Sequence, residues 1–166
     1  LIIILIVVVL ALGGGAAYVV PKYLNYNKAE EAYKDGRIDD AVELYKKAGW
    51  MKDAETKVNG GVYYEYAASL AEEGNYIDAA ASYEKVIALE TVADEYKDAA
   101  DKIKECYYNN ASDKMEAKEY AAAKELFLKS EYSDYSDKAN ECLIKQAETY
   151  LADKKFEDAI KTYGEV

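Results

Sequence analysis

The sequence predicts an all-α protein: an N-terminal apolar helix followed by an irregular solenoid of helical hairpins. Three observations carry this expectation. Residues 1–20, LIIILIVVVLALGGGAAYVV, hold no charged residue, and all 32 acids and 21 bases of the chain follow them. One proline and nine glycines in 166 residues leave few helix breakers. A pattern of apolar residues spaced by three and four then recurs four times downstream.

The apolar segment comes first. A helix of 20 residues spans about 30 Å, the thickness of a bilayer's hydrocarbon core. Residues 1–21 are therefore read as a transmembrane or filament-core helix, and residues 22–166 as the domain it carries. A cleaved signal peptide fits poorly, because no basic region precedes the run and no polar cleavage segment follows it. In the membrane-anchor reading, Tyr18, Tyr23 and Tyr26 sit at the interface, with Lys22 and Lys28 just beyond. Pro21 is expected to end or kink the helix at the surface. In the other reading the helix is buried in protein. Ala11 and Gly15 are four apart, as are Gly13 and Ala17, and such small-residue spacing lets two backbones approach closely. Ala11, Gly13, Gly15 and Ala17 are thus the candidate helix-packing residues. The stretch from Ala16 to Tyr23 resembles the end of a type IV pilin's apolar helix, where a proline and tyrosines follow small residues. That resemblance implies a filament core, although the glutamate near the start of a pilin helix has no counterpart in Leu1 to Leu10. The chain opens on Leu1 rather than Met, so a processed or incomplete N-terminus is expected.

The repeated pattern is an aromatic or Ile, an Ala three later, and an aromatic four after that. It reads Ile38-Ala41-Tyr45, Tyr76-Ala79-Tyr83, Tyr120-Ala123-Phe127 and Phe156-Ala159-Tyr163. Nine residues before each first member stands Ala29, Ala67, Ala111 or Ala147, and two before it Gly36, Gly74, Lys118 or Lys154. Spacings of three and four share a helix face. The alanine between two larger residues leaves a notch for a neighbouring helix, and the turn-compatible residue separates two helices. Each unit is thus a helical hairpin crossing at small residues. Helices are expected at about 23–35, 38–48, 62–73, 76–89, 94–117, 120–130, 134–153 and from 156 onward. A short one at about 52–58 is expected to end at Asn59-Gly60-Gly61. Between units a second motif recurs: Trp50-Met51-Lys52-Asp53-Ala54, Glu95-Tyr96-Lys97-Asp98-Ala99 and Asp134-Tyr135-Ser136-Asp137-Lys138. Its acids suit the positive end of a helix dipole.

These residues resemble the tetratricopeptide repeat family over about residues 26–166. The first-helix alanine, the residue opening the second helix, the alanine after it and the later aromatic all match. The spacing of 38, 44 and 36 residues between units exceeds the family's usual period of about 34, and the proline that commonly closes each repeat is absent. The inserted Tyr-Lys-Asp-Ala element looks like degenerate repeats behind a single membrane helix in Gram-positive bacterial surface proteins. The resemblance implies a helical solenoid that binds or spaces proteins.

Composition narrows the function classes. A net charge of −11 argues against nucleic acid as partner, since neutralising phosphates needs a basic face. The chain has no His, hence neither the usual general base nor the commonest zinc ligand. Cys106 and Cys142 each stand 14 residues before the opening aromatic of their unit, where the first two units have Leu24 and Val62. They are read as small buried apolar positions, not as a disulfide or a catalytic thiol. The pairs Glu30-Glu31, Asp39-Asp40 and Glu72-Glu73 are read as solvated faces, because helix neighbours point apart and no calcium loop is present. Trp50, Tyr63, Tyr64, Tyr66, Tyr107 and Tyr108 cannot all face inward, so they are the candidate partner contacts.

No catalytic residue, cofactor or metal ligand is expected. The expected role is a non-enzymatic, single-pass interaction scaffold, with the array outside the cell membrane. The alternative is a structural subunit of an extracellular filament. The expected partners are other proteins or copies of the chain itself, the membrane through residues 1–20, and no nucleic acid. The last unit stops at Tyr163-Gly164-Glu165-Val166 without a polar cap. Further chain, or another subunit stacked head to tail, is expected to cover it.

Overall fold

A computed structural model describes residues 16–166, with side chains from Ala17 onward. The expectations for residues 1–15, including Ala11, Gly13 and Gly15, lie outside the described residues. All regular structure among the described residues is helical, and none of these helices is long and apolar enough to cross a membrane. The chain divides into two compact units. The first is Leu1–Tyr66 with Leu89–Tyr96, described from Ala16; the second is Ala67–Ala88 with Lys97–Val166.

In the first unit, α1 (Ala16–Lys34) packs on α2 (Ile38–Ala48). Pro21, expected to end or kink the helix, lies inside α1 and does not end it. Its ring removes one backbone donor from the ladder. Tyr26, Ala29 and Ala32 of α1 are buried together with Ala41, Val42, Tyr45 and Ala48 of α2. Tyr26, expected at a membrane interface, is thus a core residue. Helix α2 carries Asp39 and Asp40 in its first turn and Lys46 and Lys47 in its last, complementing the helix dipole at both ends. A short α3 (Ala54–Thr56) leads through a kinked segment (Lys57–Gly61) to α4 (Val62–Glu72). The expected end of the short helix at Asn59-Gly60-Gly61 is found there: the kink separates two helices. Asn59 and Gly60 leave helical geometry, Gly60 at φ 125° and ψ −27°. The Ala93 amide donates to the Asn59 carbonyl at 3.0 Å, pinning the 89–96 stretch at this kink.

The boundary between the units falls within α4. In the second unit, α5 (Tyr76–Ile87), α6 (Ala99–Glu116), α7 (Tyr120–Ser130), α8 (Tyr135–Ala152) and α9 (Phe156–Tyr163) pack each on the next. The helix expected from 94 begins at Ala99, after a single 3₁₀ turn at Asp94–Tyr96.

The four pattern turns share one geometry. The Arg37 amide donates to the Ala32 carbonyl at 2.9 Å and that of Gly36 to Tyr33 at 3.0 Å. Asn75 with Gly74, Glu119 with Lys118, and Lys155 with Lys154 repeat both bonds at the same offsets. This doubly bonded closure is the Schellman motif, which needs a left-handed residue after the helix. Gly36 and Gly74 supply it at φ 73° and 81°; Lys118 and Lys154 adopt it at φ 63° and 60°. Left-handed geometry costs a non-glycine residue about 1 kcal/mol. Lys118→Gly is therefore expected to stabilise the second unit by up to about 1 kcal/mol. Gly74→Ala should destabilise it by a similar amount, through φ alone, since an added Cβ at Gly74 meets nothing within 4 Å. Urea denaturation checks both signs, and a Lys118→Gly protein less stable than its parent would refute the argument.

Candidate functional site

The pattern alanines form the packing floor. Ala29, Ala41, Ala67, Ala79, Ala111, Ala123, Ala147 and Ala159 are all fully buried. The larger residues above them are not uniform. Tyr45, Tyr83 and Phe127 are buried, whereas Tyr163 is 41% exposed and Phe156 59% exposed. Cys106 and Cys142 are buried free thiols. Burial pushes the Cys106 thiol up to about 11 and that of Cys142 upward, which keeps them protonated and poorly nucleophilic near neutrality. Val62 is buried as they are, but Leu24, at the same pattern position, is 50% exposed.

The six candidate contact residues have different surroundings. Trp50 is 55% exposed. It borders an open depression of about 300 Å³, shared with Tyr45, Lys46, Gly49, Glu55 and Val58. Tyr63 and Tyr66 are half-buried against the core of the first unit. The Tyr63 hydroxyl donates to Asp39 at 2.9 Å. The half-buried Tyr64 ring lies 5.0 Å from that of Tyr96. In the second unit, Tyr107 is buried at 9% exposure, with the Lys129 ammonium 3.9 Å from its ring centroid. Tyr108 is half-buried and meets Phe127 and Tyr132 edge-on, at 5.1 and 5.7 Å between centroids. Of the six, Trp50 presents the largest open ring. Ala17, the one helix-packing candidate with a described side chain, is exposed on α1.

Tyrosine–carboxylate pairing is a feature that helical periodicity does not reveal. Tyr26 donates to Asp53, Tyr45 to Glu30 and Tyr108 to Asp134, besides the Tyr63–Asp39 bond. Asp53 and Asp134 precede helices, as the dipole argument requires, but neither side chain caps its helix with a hydrogen bond. Their carboxylates receive phenol hydroxyls instead. Glu30, expected only on a solvated face, is likewise a partner of a buried ring. The Lys52 ammonium stands 4.1 Å from the Tyr26 ring centroid and so offsets part of the negative charge. An Asp recurring next to aromatic residues in the inter-unit motif was the available signal.

These pairs make an alkaline prediction. Burial, then the bonded carboxylates, raise the Tyr26 and Tyr45 phenols, and raise those of Tyr63 and Tyr96 to about 12. A group whose folded pKa exceeds its unfolded value contributes stability fully below the unfolded pKa, here about 10, and loses it as pH rises further. The first unit is expected to lose stability between about pH 10 and 12. Tyrosinate absorbance should then rise steeply with the loss of helical circular dichroism. Smooth ionisation near pH 10 with the helix signal intact would contradict it.

The second unit has an open groove of about 430 Å³ whose lining includes Met115, Lys118, Tyr120, Lys138, Glu141 and Lys145. Glu141 accepts from Lys138 at 2.9 Å and pairs with Lys145 at 3.6 Å. The Lys138 bond and the two positive charges hold the Glu141 carboxyl below its usual range. Such exposed pairs orient side chains more than they stabilise the fold. Among the described residues no cluster of three or more acidic or thiol side chains could hold a metal ion. No protein-family model matches the chain, and no curated protein matches it.

Proposed function

We propose that this chain is a non-enzymatic interaction scaffold, a tetratricopeptide-like array fixed to the cell membrane by residues 1–20 and presented outside it. The carrying observation is α1. It runs without interruption from Ala16, in the apolar segment, to Lys34, and buries Tyr26, Ala29 and Ala32 in the core of the first unit. Whatever holds the apolar segment thereby holds the folded domain. The repeated alanine floor and the shared turn geometry support the repeat reading. Binding would use packed helical faces, with Trp50 and the open grooves as contact surfaces.

The test is membrane extraction. The full chain should pellet with membranes and resist alkaline carbonate, and deletion of residues 1–20 should release a folded helical domain. A full chain recovered in the soluble fraction would end the anchor reading.

A second reading, a structural subunit of an extracellular filament with apolar helices at its core, draws on the small-residue spacing of Ala11, Gly13, Gly15 and Ala17. It predicts uniform filaments by negative-stain microscopy of native material, disrupted by Gly13→Ile with Gly15→Ile. Monomers or small oligomers in detergent would exclude it.

A further inference from the structure

We propose that the turn joining α2 to α3 is a lipid-contact site: Trp50 and the lysines around it rest on the anionic headgroups of the membrane that holds residues 1–20. This rests on the anchor reading, and it gives Trp50 to lipid rather than to a protein partner. Two stretches of the first unit carry bases and no acid. Residues 17–28 hold Lys22 and Lys28, and residues 44–52 hold Lys46, Lys47 and Lys52. The whole chain has 32 acids against 21 bases, so the sign of charge is locally reversed.

The fold brings these stretches together. A Cβ placed on Gly49 would lie 2.8 Å from the Lys22 ammonium, and Lys22 follows the uncharged run 1–20 by two residues. The Lys52 ammonium stands 4.1 Å from the Tyr26 ring centroid and 5.8 Å from that of Tyr23, which ties the turn to α1. Trp50 is therefore held beside the point where the apolar run gives way to polar chain. Lys46, Lys47 and Lys52 are exposed around it. The acids nearby are Glu43, which pairs with Lys46 at 2.8 Å, Asp53, which accepts from Tyr26, and Glu55, which borders the Trp50 depression. Lys22, Lys46, Lys47 and Lys52 outnumber them. The charge points to the occupant. An anionic bilayer repels a chain of net charge −11 except through a face of opposite sign. An indole flanked by ammonium groups also suits the headgroup level: the ring is apolar with one polar edge, and lysine stems reach out to phosphates.

Trp50 is the chain's single tryptophan, so its emission reports this turn alone. The full chain is reconstituted in vesicles of phosphatidylcholine, with or without phosphatidylglycerol. In the mixed vesicles Trp50 emission should move to shorter wavelength, be quenched by acyl-brominated phosphatidylcholine and resist aqueous acrylamide. Neutralising one lysine should lower the ratio of docked to undocked Trp50 about fivefold. Lys46→Gln with Lys47→Gln should therefore reopen Trp50 to acrylamide while circular dichroism stays unchanged, since an exposed ion pair such as Lys46–Glu43 stabilises little. Raising the salt should reopen it in the unaltered chain, which keeps the test independent of the variant's folding. A chain that resists carbonate extraction, but whose Trp50 stays open to acrylamide and untouched by brominated lipid, would overturn the lipid contact and leave the anchor reading standing. Trp50 shielded from both quenchers would overturn it too, because protein would then cover the turn. Equal lipid quenching in the two kinds of vesicle, insensitive to salt and to the paired substitution, would overturn the recognition of anionic headgroups. A chain released by carbonate would end the anchor reading and the lipid contact together.

Discussion

Phe127→Ala is expected to destabilise the second unit by about 3–5 kcal/mol, the range for removing a buried ring from a core. The ring is 1% exposed. It lies among Ala111, Ala123, Ala139 and Cys142, and makes an edge contact with Tyr108. Its fully buried neighbours are small, and only the larger side chains at the cluster's edge, Met115 and Tyr120 among them, could shift toward the space left behind. Tyr163→Ala, at the equivalent position of the last unit, should cost under about 1 kcal/mol in dilute monomer, because its ring is already solvated. The contrast isolates burial from chemistry. Denaturant unfolding followed separately by helix signal and by tyrosine fluorescence measures it, with two probes needed because the chain has two compact units. A Phe127→Ala cost below about 1.5 kcal/mol would mean that the cluster relaxes freely.

Gly60→Ala should have the second large effect, of up to about 3 kcal/mol on the first unit. Gly60 is buried at φ 125° and ψ −27°, where an L side chain clashes with its own backbone. The kink cannot relax cheaply, because the Asn59 carbonyl is held by the Ala93 amide. The next position is closed for a different reason. A Cβ on Gly61 would lie 3.1 Å from the Tyr96 hydroxyl and 3.2 Å from the Thr56 carbonyl. Gly61→Ala therefore tests packing and Gly60→Ala tests backbone geometry. Gly60→Ala as stable as the parent would mean that the kink is not a required feature of the fold.

Much of the helical layout was legible because the pattern alanines and turn residues are local signals. The spans 38–48 and 120–130 coincide with α2 and α7, since periodicity and the flanking left-handed residues agree there. The helix end at Asn59-Gly60 was legible because two glycines and an asparagine ordinarily stop a helix. The bond that holds this kink comes from Ala93, more than thirty residues away, which no local pattern encodes. Pro21 does not end α1, because the exposed ring leaves intact the face that α1 buries on α2 beyond it. For the candidate contacts, composition showed only that the aromatics exceeded the core positions. It could not show that Tyr107 is the buried member of its pair, or that Trp50 stands open, because such choices depend on which helix covers which.

The unbroken course of α1 sets a phase as well as a connection. A helix turns about 100° and advances about 1.5 Å per residue, so α1 ties the facing of the first unit to the number of residues between Ala16 and its buried face. One residue inserted between Ala17 and Tyr23 would rotate the first unit by about a quarter turn relative to Ala16, while moving it only about 1.5 Å along the axis. An insertion of seven residues, close to two full turns, would restore the facing direction and move the unit about 10 Å along the axis. The facing of the first unit relative to Ala16 is thus written as a count of residues in α1.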